Sequence, residues 1–162
     1  MENILSRETL KERLDILKGE GKTIVFTNGC FDIIHAGHVR YLREAKNLGD
    51  ILVLALNSDS SVKAIKGDER PIVPEAERAT VVGSLESVDY VILFDDETPL
   101  RLIKYLRPHI LVKGGDWSEE NVVGRDAARQ WGGTVVIIPE VKGASTTNII
   151  EKIRNNFSLQ KN

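Results

Sequence analysis

Residues 27–38 read Thr-Asn-Gly-Cys-Phe-Asp-Ile-Ile-His-Ala-Gly-His and directly follow the apolar run Thr23 to Phe26. A buried strand ends here in a glycine turn, and His35 and His38 stand three residues apart. That spacing puts both imidazoles on one face of a helix's opening turn. A helix start already offers unpaired N–H groups and a partial positive charge, so two imidazoles complete a compact donor cluster for a phosphate. Gly29 lets the backbone approach a ligand, and Gly37 keeps the phosphate side open. Asp32 organises the turn by accepting backbone N–H bonds. Capping or surface histidines are the bland reading of His-x-x-His, and a zinc pair is another. The usual further zinc ligands are missing nearby, because Cys30 lies on the wrong side of the turn and His109 is remote. No metal ligand is therefore assigned.

Outward from this stretch, apolar runs alternate with helical patterns. Strands are expected at 23–27, 51–56, 89–94, 110–113 and 134–138. Helices are expected at 6–18, 37–48, 74–84, from Thr98-Pro99 to Arg107-Pro108, at 118–131 and at 145–155. Ile51 to Leu56 is continuously apolar, as in a strand covered on both faces. The alternation predicts an α/β fold: a Rossmann-like, doubly wound, five-stranded parallel sheet with helices on both faces and right-handed crossovers. Ligands of such sheets bind beyond the carboxyl ends of the strands.

The 162 residues are enough for one domain, 1–162, with residues 1–20 holding the N-terminal helix and 157–162 a frayed tail. A net charge of −2 gives no electrostatic case for a nucleic acid or membrane partner, so any anion site must be built locally. No apolar run reaches the length of a membrane span, the first residues lack a signal peptide's pattern, and one cysteine permits no internal disulfide. A cytoplasmic protein is expected.

Three more stretches fall at the expected strand ends. Asn57-Ser58-Asp59 is followed by Lys63, Lys66 and Arg70, with 66–71 a polar, mobile loop whose lysine can reach a triphosphate. Lys113-Gly114-Gly115-Asp116-Trp117 offers bare backbone for a base or ribose, and Asp116 an acceptor for ribose hydroxyls. Gly143-Ala144-Ser145-Thr146-Thr147 opens the last helix with hydroxyls and free N–H groups, an anion site as well as a cap. Solvated loops and ordinary caps remain the alternatives for each. Gly21-Lys22-Thr23 lacks the earlier glycine of a P-loop and leads into a strand, and no Gly-x-Gly-x-x-Gly follows the first strand.

Gly29-Cys30-Phe31-Asp32 followed by His35-Ala36-Gly37-His38 resembles the signature of the cytidylyltransferase-like nucleotidyltransferases. The resemblance implies that His35, His38 and Lys66 are catalytic, steadying a triphosphate. It implies nucleotide contacts for Asn28, Gly29, Cys30, Phe31, Lys113, Gly114, Asp116, Ser145, Thr146 and Thr147. Asp32, Asp59, Arg70 and Arg78 are implied on the substrate side. The stretches 27–32, 57–63, 66–71, 113–116 and 145–150 are similar to the branch that adenylylates D-glycero-β-D-manno-heptose 1-phosphate, in a form without a fused sugar kinase. That similarity implies an enzyme using ATP with Mg²⁺ to make ADP-heptose and pyrophosphate for cell-surface polysaccharide, as a homodimer with small-molecule substrates. Cys30 and Glu140 depart from the glycerol 3-phosphate cytidylyltransferase branch, which stays as an alternative. A catalytically silent nucleotide-binding module is the alternative of another class.

Overall fold

The computed structural model describes residues 2–115, 118–139 and 145–158. Strands β1 (Ile24–Gly29), β2 (Ile51–Asn57), β3 (Tyr90–Phe94), β4 (Ile110–Gly114) and β5 (Thr134–Ile138) form one parallel sheet in the order β3-β2-β1-β4-β5. Between and around them lie α1 (Arg7–Gly19), α2 (Ala36–Lys46), α3 (Asp59–Lys66), α4 (Glu75–Gly83), α5 (Leu100–Leu106), α6 (Arg125–Arg129) and α7 (Thr146–Ser158). The expected α/β architecture is present.

Strand side chains alternate between two apolar layers, as a period of two demands. Ile24 and Phe26 of β1 pack with Leu10 and Leu14 of α1, Ile103 and Leu106 of α5 and Ala128 of α6. Val25 joins Leu42 and Ala45 of α2 and Ala79 and Val82 of α4 on the other face. Each fully buried leucine or isoleucine contributes about 1.5–3 kcal/mol. Among the described residues no helix is long and apolar enough to cross a membrane.

Three elements differ from the sequence expectation. Helix α3 occupies 59–66, where the sequence pattern predicts none. Ser58 caps it by accepting from Ser61 N–H at 3.2 Å, and Asn57 Nδ2 donates to Ser61 Oγ at 2.9 Å. The single helix expected over 118–131 is broken into a 3₁₀ turn (Glu119–Asn121) and α6. Val122 is extended and Gly124 takes φ of +92°, neither of which a continuous helix tolerates. A Cβ on Gly124 would lie 2.8 Å from Ile103 Cδ1, so the break is what lets this segment close against α5. Helix α7 runs through Ser158, so Phe157 and Ser158 are helical, and 159–162 lie outside the described residues.

The strand order reverses at β1, between β2 and β4. The β1–β4 ladder ends at Thr27 opposite Val112, two residues before either strand ends. Tyr41 of α2 closes the base of this gap: its hydroxyl lies 2.6 Å from Thr27 Oγ1 and donates to Val112 O at 3.3 Å. Above it the two strands diverge into the crevice where such sheets take ligands.

Candidate active site

The turn after β1 is backbone-strained and held by one residue. Phe31 (φ +46°) and Ile33 (φ +54°) both take the left-handed region, which costs a non-glycine residue about 1–2 kcal/mol. Between them Asp32 is buried, 1% exposed. Its Oδ2 accepts from Arg70 Nε at 2.7 Å and Ile72 N–H at 2.8 Å, and its Oδ1 from Val73 N–H at 2.9 Å. Its carbonyl accepts from Thr146 Oγ1 at 2.8 Å. Burial works to raise the Asp32 carboxyl, but the Ile72, Val73 and Arg70 bonds outweigh it and hold it below the ordinary carboxylate range. Asp32 does bond backbone N–H groups, yet those of a distant loop instead of its own turn. The end of the 66–71 loop, expected to be mobile, is held at Arg70 by this residue, which also binds Ile72 and Val73 just beyond, and the start of α7 is tied to the same residue. With both oxygens engaged, Asp32 is scaffold at this position.

Helix α2 begins at the histidines. His35 caps it, its Nδ1 accepting from Gly37 N–H at 3.1 Å, and His38 Nδ1 accepts from His35 N–H at 3.4 Å. The two rings lie 3.9 Å apart between centroids, tilted by 30°, and Phe31 packs on His38 at 5.3 Å. Burial lowers the basicity of both, His38 to about 4, with His35 adding to that effect. Both imidazoles are therefore neutral near pH 7. Since each Nδ1 accepts, the hydrogen-bond network assigns the remaining proton to Nε2, which is left to donate. Capping therefore leaves one donor nitrogen on each ring.

A cavity of about 690 Å³ opens over the carboxyl ends of the strands, within the range that takes a cofactor-sized ligand. His35, His38, Lys66, Arg70, Lys113 and Ser145–Thr147 all line it. Asn28, Gly29, Cys30, Phe31, Asp32 and Gly114 line it too. Lys66 comes from the last turn of α3. Lys113 sits at the end of β4, where burial lowers its basicity; Cys30 opposes that shift and Lys66 adds to it. Burial pushes the Cys30 thiol up, against the pull of Lys66, Arg78 and Arg70. Ser145 Oγ caps α7 by accepting from Asn148 N–H at 3.0 Å, so the first N–H groups of the helix remain for a ligand. Among the described residues no three His, Cys, Asp or Glu side chains gather to hold a metal ion.

Several sequence expectations land elsewhere. Arg78, expected on the substrate side, is 1% exposed and outside the cavity lining. Its guanidinium donates to Val73 O, Cys30 O, Asn57 O and Asp59 Oδ1 at 2.6–2.9 Å. Asp59, also expected there, is spent on that ion pair, and its N–H donates to Glu75 Oε2 at 2.7 Å. The pair staples the ends of β1 and β2 to α4, a role for which a buried, five-donor fork is suited. Gly29 is required by packing, since a Cβ there would meet Phe31 Cε2 at 2.9 Å; at Gly114 it would meet Tyr41 Cε2 at 3.0 Å. Asp116 lies outside the described residues. Asn57, from the Asn57-Ser58-Asp59 stretch, lines the cavity, and so do Tyr41, Glu44, Glu97 and Thr98, to which no sequence motif points. These four reach it only through the crossovers, for which linear spacing carries no signal.

The chain is similar to known proteins. A family model described as cytidylyltransferase-like matches residues 26–152. The chain is 54% identical over 151 residues to the bifunctional protein HldE of Syntrophotalea carbinolica, covering 93% of this chain and 31% of that protein. It is 57% identical over 136 residues to the bifunctional protein HldE of Geobacter metallireducens, covering 84% and 28%. The chain thus spans about a third of the length of these relatives. The crystal structure of a lipopolysaccharide core biosynthesis protein from Thermoplasma volcanium superposes with a TM-score of 0.62 at 31% identity, over 76% of this chain and all of that one. Pantothenate synthetase from Thermus thermophilus shares the fold at 15% identity and a TM-score of 0.62, over 94% of this chain and 69% of that one.

Proposed function

This chain belongs to the cytidylyltransferase-like family, and on that premise we propose that it transfers an adenylyl group from ATP to D-glycero-β-D-manno-heptose 1-phosphate, giving ADP-heptose and pyrophosphate. The observation that carries the reading is that the histidine turn and the hydroxyl-rich start of α7 share one cavity. The Thr146 bond to Asp32 links the two ends directly. The identity of half or more with HldE proteins, and the similarity to a lipopolysaccharide core biosynthesis protein, support the sugar-phosphate branch.

In this reaction a phosphate oxygen of the acceptor forms a bond to the α-phosphorus of ATP. The bond from that phosphorus to the bridging oxygen breaks, and its electron pair leaves on pyrophosphate. A phosphate monoester is already an adequate nucleophile near pH 7, so no general base is needed, and catalysis is alignment and charge stabilisation. His35 and His38 donate Nε2–H to the triphosphate as charge moves toward the leaving group. Lys66 and Lys113 supply positive charge, and the α7 start supplies backbone N–H groups. Burial and the neighbouring Lys66 both disfavour a charged Lys113, and the negative charge of a triphosphate beside them would offset this.

ATP enters as its Mg²⁺ complex, the ion held by phosphate oxygens and water. The same reading makes the enzyme homodimeric and cytoplasmic. The test is a pyrophosphate-release panel of ATP, CTP, GTP and UTP against sugar 1-phosphates and alcohol phosphates. The highest kcat/KM is expected for ATP with the heptose phosphate. A preference for CTP with glycerol 3-phosphate overturns the reading in favour of the sister branch. ATP binding without release for any acceptor overturns it in favour of a silent module.

A further inference from the structure

Beyond the phosphate machinery, one wall of the cavity has chemistry that a triphosphate cannot use. Helix α2, which carries His35 and His38, packs on one face of the sheet. Helices α5 and α6 pack on the opposite face. The loop from β3 to α5 brings Glu97, Thr98 and Pro99 to the cavity on that opposite side, and Val123 just before α6 joins them. Displacement at phosphorus is in line, with nucleophile and leaving group on opposite sides of the reacting atom. If pyrophosphate leaves toward the histidines and α7, the acceptor arrives along the α5 wall. A second cavity of about 60 Å³ lies behind this wall, sharing Asn28, Pro99, Lys113 and Val123 with the large one and backed by Phe26 and Ile103. It is too small for a sugar ring, with space for a water or two, so a ring could be held only in the large cavity, whose lining on this side includes Glu97.

Among the described residues Glu97 makes no hydrogen bond or ion pair. A carboxylate in a cavity built for phosphates repels a phosphate; what it can receive is a neutral donor. Its two oxygens match two adjacent hydroxyls. We propose that Glu97 is a specificity-determining residue that accepts hydrogen bonds from vicinal hydroxyls of a polyhydroxylated acceptor phosphate, with Thr98 beside it. This deepens the proposed function and rests on its assignment of a phosphorylated acceptor.

The test compares wild type with Glu97→Ala and Glu97→Gln, and with Glu86→Ala, an exposed carboxylate change at the far end of β3, as control. Steady-state kinetics use ATP with the sugar 1-phosphate and with its deoxy analogues, and calorimetry measures ATP and sugar-phosphate binding directly. Hydrogen bonds to a charged group predict a rise of about tenfold to a hundredfold in acceptor KM and Kd for Glu97→Ala. ATP affinity stays within about twofold, Glu97→Gln falls between, and the control behaves as wild type. The penalty for a deoxy acceptor shrinks in Glu97→Ala when the missing hydroxyl is one that Glu97 holds. Unchanged acceptor affinity, a loss of ATP affinity, or an altered Mg²⁺ requirement with unchanged acceptor KM each overturns the proposal. Calorimetry separates this failure from failure of the adenylyl-transfer reading. A wild type that binds sugar phosphate in a Glu97-dependent way yet releases no pyrophosphate sinks only the latter. A wild type that binds no polyhydroxylated phosphate sinks both.

Discussion

At the scale of single residues, His38 does two things with two nitrogens. Nδ1 accepts from the His35 N–H, and Nε2 is left to donate. Its low basicity, near 4, makes it a neutral donor near pH 7, which in the proposed reaction would stabilise developing charge without a protonation step. His38→Ala removes the donor and leaves the His35 N–H without that partner. Turnover in the pyrophosphate-release assay is expected to fall about a hundredfold or more, the loss seen when one oxyanion donor is deleted. A variant with near-normal turnover would refute the role. The residue type was legible from the sequence, while the tautomer was not, because it depends on which backbone N–H each ring meets. Asp32 and Arg78 teach the same lesson from the other side. A charge beside a motif reads as a ligand, yet both are consumed by the protein's own backbone and side chains.

At the scale of elements, α2 is the working part: its first turn caps itself with the site's histidines, its middle wedges β1 from β4, and its end packs Leu42 and Ala45 into the core. Burial pushes the Tyr41 hydroxyl up to about 12, with its Thr27 bond opposing, so it stays protonated and can donate to Val112 O. Tyr41→Phe strips one partner each from Thr27 Oγ1 and Val112 O. Stability is expected to drop by about 1–2 kcal/mol, or roughly 2–8 °C in Tm for a chain of this size, read by thermal melting. An unchanged Tm would mean that the wedge holds by ring packing alone. Helix α3 and the break at 122–124 are invisible in the sequence for opposite reasons. Eight residues give too little periodicity to register, and a continuous helical pattern hides a glycine in the left-handed region whose Cβ, if present, would meet Ile103 of α5.

At the scale of the whole molecule, pH should act on stability from the acid side. His35, His38 and His109 all have basicities lowered below 6.5 in the fold, in each case chiefly by burial. Below about pH 6.5 the unfolded chain takes up protons that the native state refuses, so unfolding gains ground as pH falls, until His38 protonates near 4. Asp32, held below its ordinary 3.8 in the fold, extends the loss further into acid. Urea midpoints are expected to be level from pH 8 to 7 and to decline steadily between 6.5 and 4; a flat profile across that window would contradict the burial of His38. His109 anchors the far end of the sheet, its Nδ1 accepting from Ile24 N–H at 2.8 Å, so both ends of the strands contribute.

The sequence by itself determined the class of fold and which turn lines the cavity, because hydrophobic period, glycine turns and the His-Ala-Gly-His spacing are local and survive in one dimension. Only the tertiary structure decided which charges face the cavity and which brace the scaffold, and which loop forms the second wall. Those outcomes depend on crossovers that bring Asp32 to 70–73 and Glu97 to the mouth of β1 and β4, between residues dozens of positions apart.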